Sequence, residues 1–219
     1  MSRRAKPDPF RKLVALYARM DQEYSTVTAT QDFSCAECPQ NCCYSYFQHH
    51  THIEWAFALK GMGLLPEDRR ESYLSRARDN VAQCEAALAK GERPHVMCPV
   101  NDDGLCGLYE HRLMICRLHG VPNVLRLPDG RENRFPGCFR FEDAVAESHG
   151  LKDAPEHIIA ATRHQLPFLD RTPLYRDLVA LEMRFVGPKL KELARVNLTL
   201  SQMLVKEFPL DKKIEDVNG

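Results

Sequence analysis

The chain lacks any uninterrupted apolar segment of the length that a membrane span requires. Its N-terminal stretch, MSRRAKPDPFRKLVALYARM, is basic but has neither the apolar core nor the small-residue cleavage site of a secretory signal. An excess of one charge is also missing, because 30 Lys and Arg residues balance 30 Asp and Glu residues. No broad cationic surface is therefore predicted to neutralise nucleic-acid phosphates. We expect a soluble, cytoplasmic protein that binds neither nucleic acid nor membranes.

Several motifs of well-understood chemistry are absent too. The sequence contains no G-x-S-x-G nucleophile elbow, no phosphate-binding loop and no dinucleotide fingerprint. The glycines of GMG, residues 61–63, do not follow a predicted strand, so they do not indicate a nucleotide site. The sequence gives no support to a hydrolase or a kinase, and it leaves open whether the protein is an enzyme.

Cysteine is plentiful: there are nine, and four of them fall within CAECPQNCCYSYFQHH, residues 35–50. In a reducing compartment, clustered thiols indicate metal ligation or redox chemistry rather than disulfides, and the odd count agrees with this. Cys84 lies in an apolar helical seam, where we expect it to pack as a small buried hydrophobe. The other eight form two groups: Cys35, Cys38, Cys42 and Cys43, then Cys98, Cys106, Cys116 and Cys138. Sets of four thiolates bind structural zinc and iron–sulfur clusters.

The predicted fold is mainly α, a helical domain around a small cysteine-rich metal-binding core with short β-hairpins. An amphipathic stripe that includes Val14 predicts a first helix from Phe10, and a longer helix is predicted between Pro66 and Gly91. The turn sequences NDDG and PDG predict two hairpins. Three further helices are expected after residue 150: DAPEHIIAATRHQLP, then TPLYRDLVALEMRFVG with Thr172 as its N-cap, then PKLKELARVNLTLSQMLVKEF.

These patterns divide the chain into four predicted regions. They are a disordered basic arm (1–9), the cysteine-cluster metal-binding domain (10–150), a C-terminal helical region packed on it (151–208) and a charged tail (209–219). His49, His50 and His52 could complete a mixed nitrogen and sulfur site. Because the thiols already supply enough metal ligands, we expect these histidines at the surface, ahead of a helix that starts near Ile53.

Spacing limits how the cysteines can share a metal. The side chains of Cys42 and Cys43 diverge by about 100° in a helix and face opposite sides in a strand. They are expected to serve different centres, unless one is a ligand and the other packs beside it. The NDDG hairpin is expected to bring Cys98 nearly opposite Cys106.

The distance between Cys106 and Cys116 limits whether these two cysteines of the second group can bind the same metal ion. A continuous helix over CGLYEHRLMIC would separate Cys106 from Cys116 by about 15 Å, too far for one ion with metal–sulfur bonds of about 2.3 Å. Either this segment is not helical throughout, or Cys116 belongs to a second centre with Cys138, which the PDG hairpin brings back. We therefore predict two centres or one polynuclear centre.

Iron–sulfur chemistry is favoured over zinc. Cys35, Cys38 and one of the vicinal pair supply three close thiols, and a remote Cys98 followed by proline resembles the fourth ligand of ferredoxin-type sequences. Zinc ribbons usually carry two C-x2-C pairs, and only one is present. An anionic cluster needs nearby positive charge and hydrogen-bond donors. The residues expected to support the centre are Arg117, Arg112 and Tyr109, and packing in the core is an equal alternative for Tyr109.

CAECPQNCC followed by CPVNDDGLCGLYEHRLMICR resembles the CxxCxxCC cysteine-cluster family, the YkgJ-like proteins described as zinc- or iron-chelating. The match covers residues 35–138, and it implies the same eight cysteines as metal ligands. The family is related to the flagellin lysine-N-methylases, which implies that such a domain can accompany enzymatic chemistry. Two features depart from the family pattern: three residues rather than two separate Cys38 from Cys42, and Leu113 stands where proline is usual.

The preferred function is that of a metal-binding cysteine-cluster protein, which holds an iron–sulfur or iron centre through eight cysteines and has a redox or cluster-dependent protein-modifying role. One alternative is a non-catalytic zinc module whose helices bind a protein partner. Another is metal storage or delivery. The substrate and the oligomeric state are left open by the sequence.

Overall fold

A computed structural model of the chain describes residues 8, 10–29, 38, 42–151, 154–158, 167–191 and 193–208. The predicted tail, the predicted arm apart from residue 8, Cys35 and most of the first helix predicted after residue 150 lie outside these ranges. The described residues are mainly helical with a few short strands, as predicted. They form two compact units. The first unit draws on Met1–Cys38 and Met114–Gly187, and the second on Pro39–Leu113 and Pro188–Gly219.

Helices and strands are numbered along the described chain. The helices are α1 (Phe10–Thr28), α2 (His52–Gly63), α3 (Glu67–Ala89), α4 (Met114–Leu118), α5 (Phe139–Ser148), α6 (Arg171–Val186) and α7 (Leu200–Glu207). The strands are β1 (Asn101–Asp102), β2 (Leu105–Cys106), β3 (Asn123–Arg126), β4 (Glu132–Phe135) and β5 (Leu169–Asp170). Three short 3₁₀ helices also occur, at Cys42–Tyr44, Tyr109–His111 and Gly187–Lys191.

Helix α1 begins where the carboxylate of Asp8 accepts a 2.9 Å hydrogen bond from the backbone N–H of Phe10. Its buried side chains, which include Leu13, Tyr17 and Met20, form one face, and the helix packs against α4 and α6. Val14 was predicted on this face but is half-exposed, because it lies about 100° further round the helix than Leu13. The prediction of an amphipathic helix from Phe10 is confirmed.

A three-stranded sheet in the order β4-β3-β5 completes the first unit with α5. The hairpin predicted at PDG is confirmed: β3 and β4 pair antiparallel, and Gly130 adopts a φ of 84° in the connection. Strand β5 pairs parallel to β3, with Val124 opposite Asp170. The sequence analysis did not predict this third strand, which is only two residues long.

The N-terminus of α6 differs from the prediction in its capping residue. The carboxylate of Asp170, not the hydroxyl of Thr172, accepts the capping hydrogen bond, and its donor is the backbone N–H of Thr172 at 3.0 Å. The Thr172 hydroxyl instead accepts a 2.9 Å hydrogen bond from the backbone N–H of Arg126. Thr172 is buried and ties α6 to strand β3.

In the second unit, α3 packs against α7 around an apolar core. The predicted long helix is confirmed, since Pro66 directly precedes α3 and Gly91, with a φ of 73°, follows its end. Cys84 is buried on α3, as expected for a core residue, and its thiol lies 3.6 Å from the side-chain oxygen of Asn80. The core members are Met62, Tyr73, Leu74, Ala77, Val100, Leu108, Leu204 and Phe208.

The prediction of one continuous helix over PKLKELARVNLTLSQMLVKEF is wrong, because residues 193–199 are not helical. Helix α7 begins only at Leu200. Thr199 and Gln202 form a capping box there, which marks the start of a new helix. Leu198 instead makes an antiparallel bridge with His49. His49 is therefore buried rather than at the surface.

Candidate metal centre

Strands β1 and β2 form the tight hairpin predicted at NDDG, and its two loop residues, Asp103 and Gly104, have φ values of 49° and 92°. Positive φ at both positions is the requirement of the turn that suits a two-residue hairpin. The register pairs Cys106 with Asn101, so the expected pairing of Cys106 with Cys98 is wrong. Cys98 lies one turn earlier, where its carbonyl accepts a 3.1 Å hydrogen bond from the backbone N–H of Asn101.

The segment from Cys106 to Cys116 is not one helix. It contains the end of β2, a single 3₁₀ turn at Tyr109–His111 and the start of α4 at Met114. The first of the two alternatives, that this segment is not helical throughout, is therefore confirmed. The separation of about 15 Å that a continuous helix would impose on Cys106 and Cys116 does not apply.

Three thiols of the second unit meet at Cys43. The carbonyl oxygen of Cys43 accepts a 2.9 Å hydrogen bond from the backbone N–H of Cys98, which joins the two cysteine groups. The side chains of Cys42 and Cys98 both hydrogen-bond to the Cys43 sulfur. The vicinal side chains of Cys42 and Cys43 thus meet. That they serve different centres, or that one is a ligand and the other packs beside it, stays a prediction. Cys98 and Cys106 both pack against the core of the second unit.

The Cys43 thiol ionises easily in this setting. The hydrogen bonds from Cys42 and then Cys98 lower its pKa to about 3, against the opposing effect of burial. A weaker hydrogen-bonding interaction with the Asn101 side chain and the positive charge of Arg112 lower the pKa of Cys43 further. Deprotonated sulfur is the form that binds metal. Within the part of the chain that the structure describes, no group of three or more Cys, His, Asp or Glu side chains is already arranged to hold a metal ion.

Asn101 lies between the cysteines of the second unit and is only 6% exposed. Its side-chain oxygen accepts a 3.0 Å hydrogen bond from the backbone N–H of Gly104. Its side-chain nitrogen is buried, and no acceptor among the described residues completes a hydrogen bond with it. The same amide lowers the pKa of Cys43, so it lies close to that sulfur. The sequence analysis did not identify Asn101.

A polar clamp fixes the β1–β2 hairpin on α3. Tyr73 donates a hydrogen bond to the carboxylate of Asp102, which also accepts from Arg69 at 2.7 Å and from Arg76 at 2.8 Å. Arg76 also donates to the carbonyl of Asn101 at 2.6 Å. Burial raises the pKa of Asp102, but these hydrogen bonds outweigh it and lower that pKa to about 2. The clamp holds the strand that carries Asn101 in one position.

Two of the predicted supporting residues lie in the second unit. The Arg112 guanidinium lies 3.9 Å from the centre of the Tyr109 ring, a cation–π contact, and its charge acts on Cys43. Tyr109 is 55% exposed, so it is not a core residue. Its described contact with the site is through Arg112.

The third predicted supporting residue, Arg117, belongs to the first unit. Its side chain is 4% exposed, forms a 2.9 Å ion pair with Asp21 and lies 4.2 Å from the centre of the Tyr17 ring. These contacts hold α4 on α1. Its predicted role beside Cys116 stays a prediction.

The eight predicted ligands are shared between the units. Cys42, Cys43, Cys98 and Cys106 belong to the second unit, and Cys38, Cys116 and Cys138 to the first. Cys116 lies in α4 and Cys138 at the N-cap of α5, where its backbone N–H donates to the carbonyl of Gly120 at 2.9 Å. Cys35 lies outside the described residues. That Cys116 and Cys138 share a metal stays a prediction.

A cavity of about 450 Å³ opens beside Cys106. Leu64 and Leu105, which are 71% and 76% exposed, contribute apolar surface to it, and Arg69 and Asp102 of the polar clamp contribute charge. The cavity leads from solvent to one of the predicted metal ligands.

Comparisons of the chain with protein-family models, with curated proteins and with solved structures gave no match. The likeness to the CxxCxxCC family therefore stays a prediction from the cysteine motifs. Among the helices of the described residues, none combines the length and the apolar character needed to cross a membrane.

Proposed function

We propose that the protein binds metal through cysteine thiolates, in an iron–sulfur or iron centre with a redox or cluster-dependent protein-modifying role. The observation that carries the proposal is the meeting of Cys42 and Cys98 at the sulfur of Cys43. These thiols come from two distant segments, and the backbone hydrogen bond between Cys98 and Cys43 holds the segments together. Gathering ligands in this way is the main requirement of a thiolate site.

The donor set fits a soft metal. Thiolate sulfur suits zinc, copper(I) and iron–sulfur clusters, and Cys43 is ionised well below neutral pH. A bound ion would replace the protons that Cys42 and Cys98 now direct at Cys43, because metal binding to thiols releases protons. Cys106, which packs against the same core as Cys98, is the fourth candidate ligand of this unit.

Charge and hydrogen bonding in the second unit also suit an anionic metal–thiolate centre. Arg112 supplies positive charge towards Cys43, and Asn101, whose side chain lowers the pKa of the same sulfur, supplies a buried N–H group. Such groups tune the metal through its ligands. When bound, an iron–sulfur cluster would supply one-electron transfer. Cys38, Cys116 and Cys138, which belong to the first unit, would then serve a second centre with Cys35. This differs from the ferredoxin-type spacing, which indicated that Cys35 and Cys38 share a cluster with Cys98.

A zinc-binding structural module is the second candidate. The observation that favours it is the sparse regular structure from Cys98 to Leu113, which contains two-residue strands and a single 3₁₀ turn. A region with so little regular structure gains much of its folding free energy from a bound metal. In this case the helices would present a surface to a protein partner.

Anaerobic purification followed by analysis of iron, zinc and inorganic sulfide tests the proposal. Brown protein with sulfide supports the iron–sulfur function, colourless protein with zinc supports the structural module, and variable, exchangeable metal supports storage or delivery. Cys43→Ser should lose most of the metal of the second unit. Cys84→Ser is the matched control and should keep it, because Cys84 is a core residue of α3. Folded wild-type protein free of transition metal would contradict metal binding.

A further inference from the structure

We infer that Asn101 donates a hydrogen bond from its side-chain nitrogen to the sulfur of Cys43 when that sulfur binds metal, and that it thereby tunes the metal–thiolate bond. The inference rests on the proposed metal-binding function. It makes Asn101 a positioning and tuning residue rather than a ligand.

The backbone places Asn101 next to two predicted ligands. Its N–H donates to the carbonyl of Cys98 at 3.1 Å, and its strand pairs it with Cys106. Arg76 holds its carbonyl at 2.6 Å. The position of Asn101 relative to Cys98 and Cys106 is therefore set by main-chain hydrogen bonds.

The side-chain amide has a fixed direction. Its oxygen accepts from the backbone N–H of Gly104 at 3.0 Å, and because the amide group is planar, this bond also directs the nitrogen. That nitrogen is buried and has no acceptor at normal hydrogen-bond geometry among the described residues. A buried donor without an acceptor is costly, so such a group calls for an explanation. The Asn101 amide already lowers the pKa of the Cys43 sulfur. When that sulfur is negatively charged and binds metal, it is a strong acceptor for the amide N–H.

A simpler role for Asn101 is to stabilise the hairpin turn through Gly104 alone. The substitution Asn101→Asp separates the two roles, because a carboxylate can still accept from Gly104 but cannot donate to sulfur. Asn80→Asp is the matched control. Asn80 is also buried in the second unit, but its side-chain nitrogen already donates to the carbonyl of Met97 at 2.8 Å.

Cobalt(II) in place of the native metal reports on the sulfur directly. In Asn101→Asp we expect the sulfur-to-cobalt charge-transfer bands to move to lower energy, since the thiolate loses a donor, and the affinity for cobalt to fall roughly 10- to 100-fold in competition with a chelator. Asn80→Asp should leave the bands in place. Unchanged bands and affinity in Asn101→Asp would overturn the inference, and equal band shifts in both variants would assign Asn101 a structural role only.

A measurement on the wild-type protein does not depend on a variant that folds. With ¹¹³Cd bound, the Asn101 side-chain N–H should show scalar coupling to cadmium through the hydrogen-bonded sulfur. Bound cadmium with no coupling and no change in the amide resonance would overturn the inference while leaving metal binding intact. Wild-type protein that binds neither cobalt nor cadmium would overturn the proposed function, and the inference with it.

Discussion

The backbone N–H of Cys98 donates a 2.9 Å hydrogen bond to the carbonyl oxygen of Cys43. This bond connects the first cysteine group to the β1–β2 hairpin region, and the sulfur atoms of the same two residues are also hydrogen-bonded. The hairpin itself is held on α3 by the polar clamp of Tyr73, Asp102, Arg69 and Arg76. The thiol cluster therefore depends on contacts with α3 as well as on the cysteines.

Gly107 is the position where this dependence is easiest to test. A Cβ atom at Gly107 would lie 1.7 Å from the Tyr73 hydroxyl oxygen, so Gly107→Ala must displace the ring and break its bond to Asp102. We expect a loss of about 1–3 kcal/mol in the free energy of unfolding, measured by urea denaturation. Gly63→Ala is the control, because nothing lies within 4 Å of its added Cβ. Equal stability of the two variants would contradict the close contact.

Because Arg117 is buried, its ion pair with Asp21 should contribute more to stability than an exposed ion pair of the first unit. Asp21→Ala leaves a guanidinium that is 4% exposed without its carboxylate, whereas Asp177→Ala removes the partner of Arg19 in an exposed pair. We expect Asp21→Ala to lower the free energy of unfolding by about 1–2 kcal/mol, less than for a fully buried pair because Asp21 is half-exposed. Asp177→Ala should lower it by less than about 0.5 kcal/mol. Thermal or urea unfolding of both variants measures the difference. A larger loss for Asp177→Ala would reverse the interpretation.

Local signals were sufficient for much of the fold. The stripe at Phe10, the proline and glycine around α3, and the NDDG and PDG turns each act within a few residues, so they predicted two helices and two hairpins. The capping box at Thr199 and Gln202 was an equally local signal that the prediction of a longer last helix overlooked. Strand β5 has two residues and forms only by pairing with β3, so no periodicity could indicate it.

The cysteines of the candidate site could be picked out from the sequence, but their surroundings could not. The thiol count and spacing picked out Cys42, Cys43 and Cys98, which the structure brings together. The roles of Asp102 and Tyr73 arise from the packing of a hairpin on a helix, and a single sequence does not encode which helix residue faces which strand residue. For Asn101, the one available signal was its place within the turn sequence NDDG, which indicates a turn and not a sulfur contact.

Acid should destabilise the protein through His49. Burial, with a smaller effect from His50, lowers the pKa of His49 from 6.5 to about 3. Between these values the unfolded chain binds a proton that the folded chain does not, so stability is complete above pH 6.5 and falls by about 1.4 kcal/mol per pH unit below it. From pH 7 to pH 5 the loss from this group is about 2 kcal/mol. Urea unfolding should show a smaller loss over this range in His49→Leu, and identical slopes would contradict the assignment.

Metal removal should affect the second unit unevenly. Hydrogen exchange measured with and without a chelator should show lost protection in the Cys42–Tyr44 turn and in β1 and β2. Helix α3 should keep its protection, because it packs on α7 through an apolar core. If the metal was present at 100 times its Kd, protection in the hairpin should fall about 100-fold, which corresponds to about 2.7 kcal/mol. Metal-free Cys43→Ser should show no further change with chelator, and Cys84→Ser should respond like the wild type. Equal loss along α3 and the hairpin would mean that metal supports the unit as a whole and not the thiol-bearing hairpin in particular.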